Sequence, residues 1–313
     1  MPETAKPVVL LSHQMLSPMQ AALEGQGYEV ARRWEMTAEQ AAQVRAIVHA
    51  GEIALEPDFL AGLPSLGLIA CVSVGYDGVN VPAARAAGLQ VTHAKGLNAD
   101  DVADHALGLL IASWRNIVAG DAVLRSGGWR DGDRMGPRAG LRGRKVGIVG
   151  LGAIGEAVAV RAQAFGMEIA WWGPREKPDA VWLRAESLLA LAEASDILVV
   201  ASRADETNRG VVDRAVIEAV GPRGMIVNVA RGSIIDEDAL IAALKDGRLG
   251  RAGLDVFAVE PTPPERWAGV PNTVLTPHTA GGTVDSIPRM VGQALENVRL
   301  FLAGEPVMSP VSP

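Results

Sequence analysis

The sequence predicts an α/β protein of two doubly wound, parallel-sheet domains with a cleft between them. Three observations predict it. Short β-type runs alternate with helical ones along the chain, the pattern of a parallel sheet covered on both faces. At 313 residues the chain is too long for one comfortable hydrophobic core. Near its middle, Val146 to Val149 reads as a buried strand, the next six residues spell GxGxxG, and Glu156 to Phe165 reads as an Ala/Val-rich helix.

Before that turn, Val8 to Leu11, Tyr28 to Ala31, Ala46 to His49, Leu66 to Val74 and Leu89 to Thr92 read as strands. Met19 to Glu24, Ala38 to Val44 and Pro82 to Ala87 read as helices between them, with Gly88 as a C-terminal stop. Asp100 to Val123 follows as one long helical pattern, its two leading aspartates favoured by the helix dipole. Residues 125–144 are rich in Gly and Arg and show no periodicity. A loop of that length is functional or packs on a partner, and the reading here is a homodimer contact through helix 100–123 and this loop, against a plain surface loop. A second alternation then gives strands at Glu168 to Trp172, Ile197 to Ala201, Met225 to Val229, Arg251 to Val256 and Thr273 to Leu275. Helices lie between them at Ala185 to Ala192, Asp213 to Val220 and Asp236 to Asp246. The last helix, Ser286 to Leu302, places Pro288 in its first turn, where proline is tolerated. The expected domains are 1–98, completed by a returning C-terminal segment 285–313, and 99–284.

Composition narrows the function. A net charge of −7 argues against nucleic acid and anionic membrane as partners. No apolar run approaches the roughly 18 residues that cross a bilayer, and the start, MPETAKPVVLLS, lacks the pattern of a signal peptide. Cys71 is the single cysteine. Its apolar setting reads as a buried strand residue, and one thiol allows no intrachain disulfide, which fits a cytoplasmic protein. The histidines lack metal-ligand spacing, so no metal is expected.

The GxGxxG run is Gly150, Leu151, Gly152, Ala153, Ile154 and Gly155. Its glycines serve a tight turn, close approach of backbone to a pyrophosphate, and close helix–strand packing, so the stretch reads as a Rossmann-like dinucleotide site. The free N–H groups and dipole of the following helix suit a diphosphate. An NAD site carries an acidic residue at the end of the second strand, on the ribose 2′-hydroxyl. Here that strand ends Gly173-Pro174-Arg175, with Lys177 beyond. Without a carboxylate a 2′-phosphate is not repelled, and Arg175 can pair with it through charge-assisted bonds of about 1.5–3 kcal/mol each. NADPH over NADH is the expectation; the alternative is a solvated Arg175 and an unselective enzyme.

Three polar residues follow successive strands: Arg231, Glu260 and His278. Open α/β sheets bind ligands at that edge. Singly, each has a structural alternative, a helix cap for Arg231 and a turn for His278. Together they supply what reduction of a 2-oxo acid needs. A guanidinium holds the carboxylate and polarises the ketone, and an imidazolium gives a proton to the alkoxide. A carboxylate keeps that imidazole protonated. His13, His49, His93 and His105 lack such company and read as structural.

GLGAIG, VNVARGSIIDEDAL, AGLDVFAVEP and LTPHTAGGT, with DDVADHALGLLIA and SVGYDGVNV, resemble the signature stretches of the D-isomer-specific 2-hydroxyacid dehydrogenases over nearly the whole chain. The resemblance implies two Rossmann-like or flavodoxin-like domains, the first substrate-binding and the second the dinucleotide-binding Rossmann domain, and gives Arg231, Glu260 and His278 the roles already read from them. It further implies that Val74 and Gly75 N–H groups hold the substrate carboxylate and that Leu151 to Ile154 meet the pyrophosphate. Ala201, Ser202, Arg203, Val229, Ala230, Asp255, Ala280 and Gly281 would line the remainder of the dinucleotide site. WWGPREKP and GEPVMSPV look most similar to NADPH-dependent glyoxylate/hydroxypyruvate reductases and to hydroxyphenylpyruvate reductases. Two departures stand out. Those relatives place Ser-Arg at Gly173-Pro174, leaving Arg175 to act alone or with Lys177, and Arg203 stands where Pro or Leu is common. A missing acidic residue after the second strand disfavours phosphoglycerate dehydrogenase, and Glu260 in place of Gln disfavours formate dehydrogenase.

The expected function is NADPH-dependent reduction of glyoxylate or hydroxypyruvate to the D-2-hydroxy acid. Alternatives are a bulkier 2-oxo acid (hydroxyphenylpyruvate or 2-ketogluconate) and a dinucleotide-sensing binding protein on the same fold. Met15, Leu16, Tyr76 and Met135 are candidates to line the substrate pocket.

Overall fold

Runs of four to six residues, apolar on both faces, dictate the two parallel sheets of the computed structural model, which describes residues 6–130 and 136–311. The chain divides into one unit of Met1–Asn98 with Val284–Pro313 and a second of Ala99–Thr283.

In the first unit, β1 (Val8–Leu11), α1 (Gln20–Gly25), β2 (Glu29–Arg32), α2 (Ala38–Gln43), β3 (Val44–His49), α3 (Pro57–Ala61), β4 (Leu68–Cys71), α4 (Val81–Ala86) and β5 (Gln90–Thr92) follow one another. The strands pair in parallel in the order β2-β1-β3-β4-β5, the flavodoxin-like order. Local chemistry sets the helix starts. Thr37 and Gln40 form a reciprocal capping box on α2, and Asn80 caps α4 through the Ala83 N–H. The strand expected over Leu66 to Val74 is shorter, because after Cys71 the chain turns and Ser73 binds Gly51 N–H and Gly75 carbonyl instead of a neighbouring strand. Helix α3 was not expected, although Pro57 at its first turn was a signal. Cys71 is buried, and burial pushes its thiol up to about 12. His49 is buried with Ser12 Oγ on Nδ1 at 2.8 Å, and burial pushes its imidazole down to about 4.

The second unit opens with α5 (Ala99–Trp114) and α6 (Ile117–Arg125) and continues β6 (Lys145–Val149), α7 (Ala153–Ala164), β7 (Glu168–Trp172), β8 (Leu183–Arg184), α8 (Leu188–Glu193) and β9 (Ile197–Val200). It then runs through α9 (Arg214–Val220), β10 (Met225–Asn228), α10 (Glu237–Lys245), β11 (Arg251–Leu254), α11 (Pro264–Trp267) and β12 (Thr273–Leu275). Its seven parallel strands lie in the order β12-β11-β10-β9-β6-β7-β8. The chain moves outward from β6 to β8 and then crosses to β9, so the order reverses between β6 and β9, where such sheets take their ligand.

The single helix expected over Asp100 to Val123 is two, bent by 60°. Asn116 is left-handed at φ 54°, a conformation asparagine tolerates. From β11, Arg251 Nη1 donates to the carbonyls of Ser113 at 2.7 Å and Trp114 at 3.2 Å and to Asn116 Oδ1 at 3.1 Å. The last carbonyls of α5 are thereby satisfied by a side chain 135 or more residues away, which no local pattern announces. Residues 131–135 of the expected interface loop, Met135 among them, lie outside the described residues. No single helix among the described residues is long and apolar enough to cross a membrane.

Helix α12 (Ser286–Leu302) belongs to the first unit and has the bounds expected. Ala294 and Val298 enter a core with Leu68 and Ala70, and a Cβ on Gly67 would meet the Phe301 ring at 2.4 Å. Arg251→Leu is expected to strip the donor from the Trp114 carbonyl and Asn116 Oδ1, leave the Ser113 carbonyl only the Asn116 N–H, and lower unfolding free energy by about 1–3 kcal/mol, measured by chemical denaturation.

Candidate active site

The glycine turn joins β6 to α7, and its three glycines have different causes. Gly150 has φ +92°, and a Cβ there would lie 2.5 Å from Ser202 Cα. A Cβ on Gly155 would lie 2.2 Å from the Gly150 carbonyl, so close packing of α7 on β6 requires it. Gly152 has an ordinary φ of −88°, and no atom of the described chain lies within 4 Å of where its Cβ would be. Two glycines are demanded by the protein itself; the middle one keeps open a space that the protein leaves unfilled. Helix α7 also starts without a side-chain cap among the described residues, which leaves its first N–H groups for an anion. A pyrophosphate fits both features.

At the end of β7, Gly173 is buried against the Trp171 ring, and Pro174 and Arg175 are exposed. Among the described residues Arg175 makes no hydrogen bond or ion pair. Lys177 differs from expectation: its Nζ lies 2.7 Å from Glu156 Oε1, a carboxylate in the first turn of α7, so it is engaged rather than free beside Arg175. Arg184, which sequence reasoning passed over, reaches the same strand end, donating to the Gly173 carbonyl at 2.8 Å.

Arg231 follows β10 in a bend shaped by buried Asn228. The Asn228 Oδ1 accepts the Ala230 N–H at 3.0 Å, and its Nδ2 donates to the Arg231 carbonyl at 3.0 Å. The next residue must be glycine, because a Cβ on Gly232 would fall 1.9 Å from the Phe257 carbonyl carbon. This close approach brings the Arg231 loop against the segment that carries Glu260.

That segment is pinned from below. Glu237, at the start of α10 and 8% exposed, accepts the Ala258 N–H at 2.8 Å and an ion pair from Arg266, which also binds Asp238 at 2.8 Å. Glu260 Oε1 accepts the Phe257 N–H at 2.9 Å, and Oε2 lies 2.6 Å from His278 Nδ1. An ionised carboxylate only accepts, so Nδ1 donates and Nε2 is the nitrogen left for other chemistry. The Glu260 bond pushes the His278 imidazole above its ordinary 6.5, against burial and the Arg231 charge, which lower it. Burial raises the Glu260 carboxyl, but the His278 and Phe257 bonds and the charges of His278 and Arg231 together hold it below its ordinary value. Arg231 therefore acts on both partners, and the three residues singled out in the sequence form one electrostatic unit.

His278 has φ 52°, in the left-handed region. Its N–H binds the Asp255 carbonyl at 2.8 Å. The buried Asp255 carboxylate accepts Thr276 Oγ1 at 2.6 Å and the N–H groups of Thr279 and Ala280 at 2.9 Å each. His105 Nε2 lies 2.8 Å from Thr276 Oγ1. Asn228, Glu237, Thr276 and His105 were missed as site residues; a polar residue closing an apolar strand run, as in Val227-Asn228-Val229, was the available signal. Ala201 to Arg203 follow β9, where Arg203 Nη2 pairs with Asp205 at 3.2 Å.

In the first unit, Val74 and Gly75 form the turn after β4. The Val74 carbonyl accepts from His93 Nδ1 at 2.9 Å, and the Gly75 carbonyl accepts from Ser73 Oγ at 2.8 Å. Gly51 has to be glycine there, since its Cβ would lie 2.1 Å from the Gly75 oxygen.

Residues 107–280 match the family model described as the D-isomer specific 2-hydroxyacid dehydrogenase, NAD binding domain. The chain is 37% identical over 307 residues to hydroxyphenylpyruvate reductase of Plectranthus scutellarioides, covering 95% of this chain and 97% of that protein. It is 40% identical over 274 residues to a glyoxylate/hydroxypyruvate reductase of Arabidopsis thaliana, covering 87% and 84%. The crystal structure of the NADPH-dependent glyoxylate/hydroxypyruvate reductase of Sinorhizobium meliloti, in complex with NADP and malonate, superposes with a TM-score of 0.90 at 34% identity over 98% of this chain and 97% of that one. The chain belongs to the D-isomer-specific 2-hydroxyacid dehydrogenase family, as two parallel-sheet α/β domains. Members of this kind are oxidoreductases that use a nicotinamide dinucleotide.

The glycine turn separates two effects. Gly152→Ala is expected to leave the melting temperature nearly unchanged while weakening dinucleotide binding by about tenfold or more, since its Cβ enters space used only by a ligand. Gly155→Ala should instead cost about 1–3 kcal/mol of stability through overpacking. Calorimetric titration and thermal melts on the two variants read both; wild-type dinucleotide affinity in Gly152→Ala would contradict the assignment.

Proposed function

We propose that this protein reduces a small 2-oxo acid with NADPH, glyoxylate to the achiral 2-hydroxy acid or hydroxypyruvate to the D-2-hydroxy acid. The observation that carries the reading is the 2.6 Å bond from His278 Nδ1 to Glu260, beside Arg231. When bound, the nicotinamide supplies a hydride to the substrate carbonyl carbon. Arg231 pairs with the substrate carboxylate and draws electron density from the ketone oxygen. His278, protonated and oriented by Glu260, gives its Nε2 proton to that oxygen, so hydride and proton together complete the alcohol. Glu260 stays ionised and stabilises the imidazolium before transfer.

Val74 and Gly75 are proposed to meet the substrate carboxylate with their N–H groups; their carbonyls are already held by His93 and Ser73. Leu151 to Ile154 would meet the pyrophosphate. Ala201, Ser202, Arg203, Val229, Ala230 and Asp255 would line the nicotinamide half, with Ala280 and Gly281 also meeting the dinucleotide. Asp255 has three acceptor positions already filled, leaving about one of four for a ligand amide. Support for NADPH comes from Gly173 in place of a carboxylate and from the exposed Arg175. A homodimer is proposed because α6 and the residues after it expose Ile117, Val118, Leu124 and Trp129, an apolar set that a second copy would cover. The single buried cysteine fits a cytoplasmic setting.

Steady-state turnover with NADPH and NADH against glyoxylate, hydroxypyruvate, 4-hydroxyphenylpyruvate and 2-ketogluconate tests the reading. The expected result is an NADPH preference of about 10- to 100-fold with the two small acids. NADH preference would contradict the cofactor, and higher kcat/KM with the bulky acids would contradict the substrate size. His278→Ala should lower kcat by about 10²- to 10⁴-fold with dinucleotide affinity retained.

A further inference from the structure

His105 was read as structural, and its surroundings assign it a more definite task. Thr276, His278, Thr279 and Ala280 all donate to Asp255: the hydroxyl and two N–H groups to its carboxylate, the His278 N–H to its carbonyl. One buried residue thus ties down the five-residue segment that holds His278 in a left-handed conformation. Such a conformation persists only where the surroundings over-determine it.

The direction of these bonds is fixed by proton counting. N–H groups point at both Asp255 carboxylate oxygens, so the group acts as an acceptor. A threonine hydroxyl has one proton, and Thr276 gives it to Asp255 Oδ1 at 2.6 Å. Oγ1 must then accept at its other contact, His105 Nε2 at 2.8 Å. The chain runs from His105 Nε2–H to Thr276 Oγ1–H to the Asp255 carboxylate, and His105 carries its proton on Nε2. The same nitrogen lies 3.5 Å from Asp255 Oδ1, so its N–H also points toward the negative charge. His105 stands in α5, which opens the unit, and Thr276 follows its last strand, so this contact closes the sheet's edge onto the helix that covers it.

We propose that His105 is a positioning residue for His278. Through Thr276 and Asp255 it holds segment 276–280 so that Nδ1 stays on Glu260 and Nε2 stays presented. The inference rests on the reading of His278 as proton donor. The groups that face His278 and set its charge are Glu260, Arg231 and Asp255; His105 reaches it only through the segment.

Four variants of the full chain test this: His105→Ala, His105→Gln, Thr276→Val and the double variant His105→Ala with Thr276→Val. Glutamine can place an amide N–H near the position of Nε2. The first readout needs no substrate. Amide exchange at His278, Thr279 and Ala280 should speed up by about tenfold in His105→Ala and in Thr276→Val, as a local opening, and return toward wild type in His105→Gln. The second is turnover. In His105→Ala, kcat should fall by about 10- to 100-fold, as for a small misplacement of the donor, with KM for dinucleotide and 2-oxo acid little changed, and His105→Gln should recover most of it. Because His105 acts through Thr276, the double variant should lose no more than Thr276→Val alone. Unchanged exchange in His105→Ala, or losses that multiply in the double variant, would overturn the proposal. If the wild-type protein turns over no 2-oxo acid, the proposed function fails while the exchange result still decides whether His105 positions the segment.

Discussion

The hydrogen bond between His278 Nδ1 and Glu260 Oε2 is the constraint that the second unit is built to hold. Its two residues come from separate loops, after β11 and after β12. The Glu260 loop is fixed by Glu237 and Arg266 below it and by Gly232, whose missing Cβ lets the Arg231 loop press against Phe257. The His278 loop is fixed by Asp255 and Thr276. Parallel pairing of β10, β11 and β12 brings these ends to one edge, so the sheet sets the coarse spacing and buried polar side chains set the fine one. Each buried carboxylate is satisfied by several donors, which is the condition under which burying it is tolerable.

Much of this was legible in the chain. Strands apolar on both faces announced parallel sheets, and the glycine turn was legible between a strand and a helix at the edge where the sheet order reverses. Arg231, Glu260 and His278 could be read because each follows one of three successive apolar strand runs. The structure brings the three together, and the shared electrostatics follow from that proximity. The family match accounts for why these motifs keep their order and spacing.

What stayed hidden was set by contacts distant in sequence. The break at Asn116 depends on Arg251, and helical periodicity on either side reads as one helix. Lys177 looked available beside Arg175, but α7 places Glu156 against it. The short turns at Pro57–Ala61 and Pro264–Trp267 and the two-residue strand Leu183–Arg184 are too brief for periodicity to register. His105 lies in a helical run beside Asp100, Asp101 and Asp104, where it reads as one more polar residue of a helix start, and only the folded chain shows Thr276 above it.

In the proposed mechanism Glu260 holds His278 protonated for proton donation to a 2-oxo acid, and the pH dependence of kcat/KM for reduction tests this most directly. In the proposed reduction the imidazolium is the active form, and its pKa is raised above the ordinary 6.5. The rate constant should therefore be level at low pH and fall as pH rises through a value above 6.5. Glu260→Gln removes the largest raising influence and leaves burial and Arg231, which lower it, with only the weaker pull of Asp255 still raising it, so the fall should move to lower pH. A fall at the same pH in Glu260→Gln, or a rate constant that grows with pH in the wild-type protein, would contradict the account.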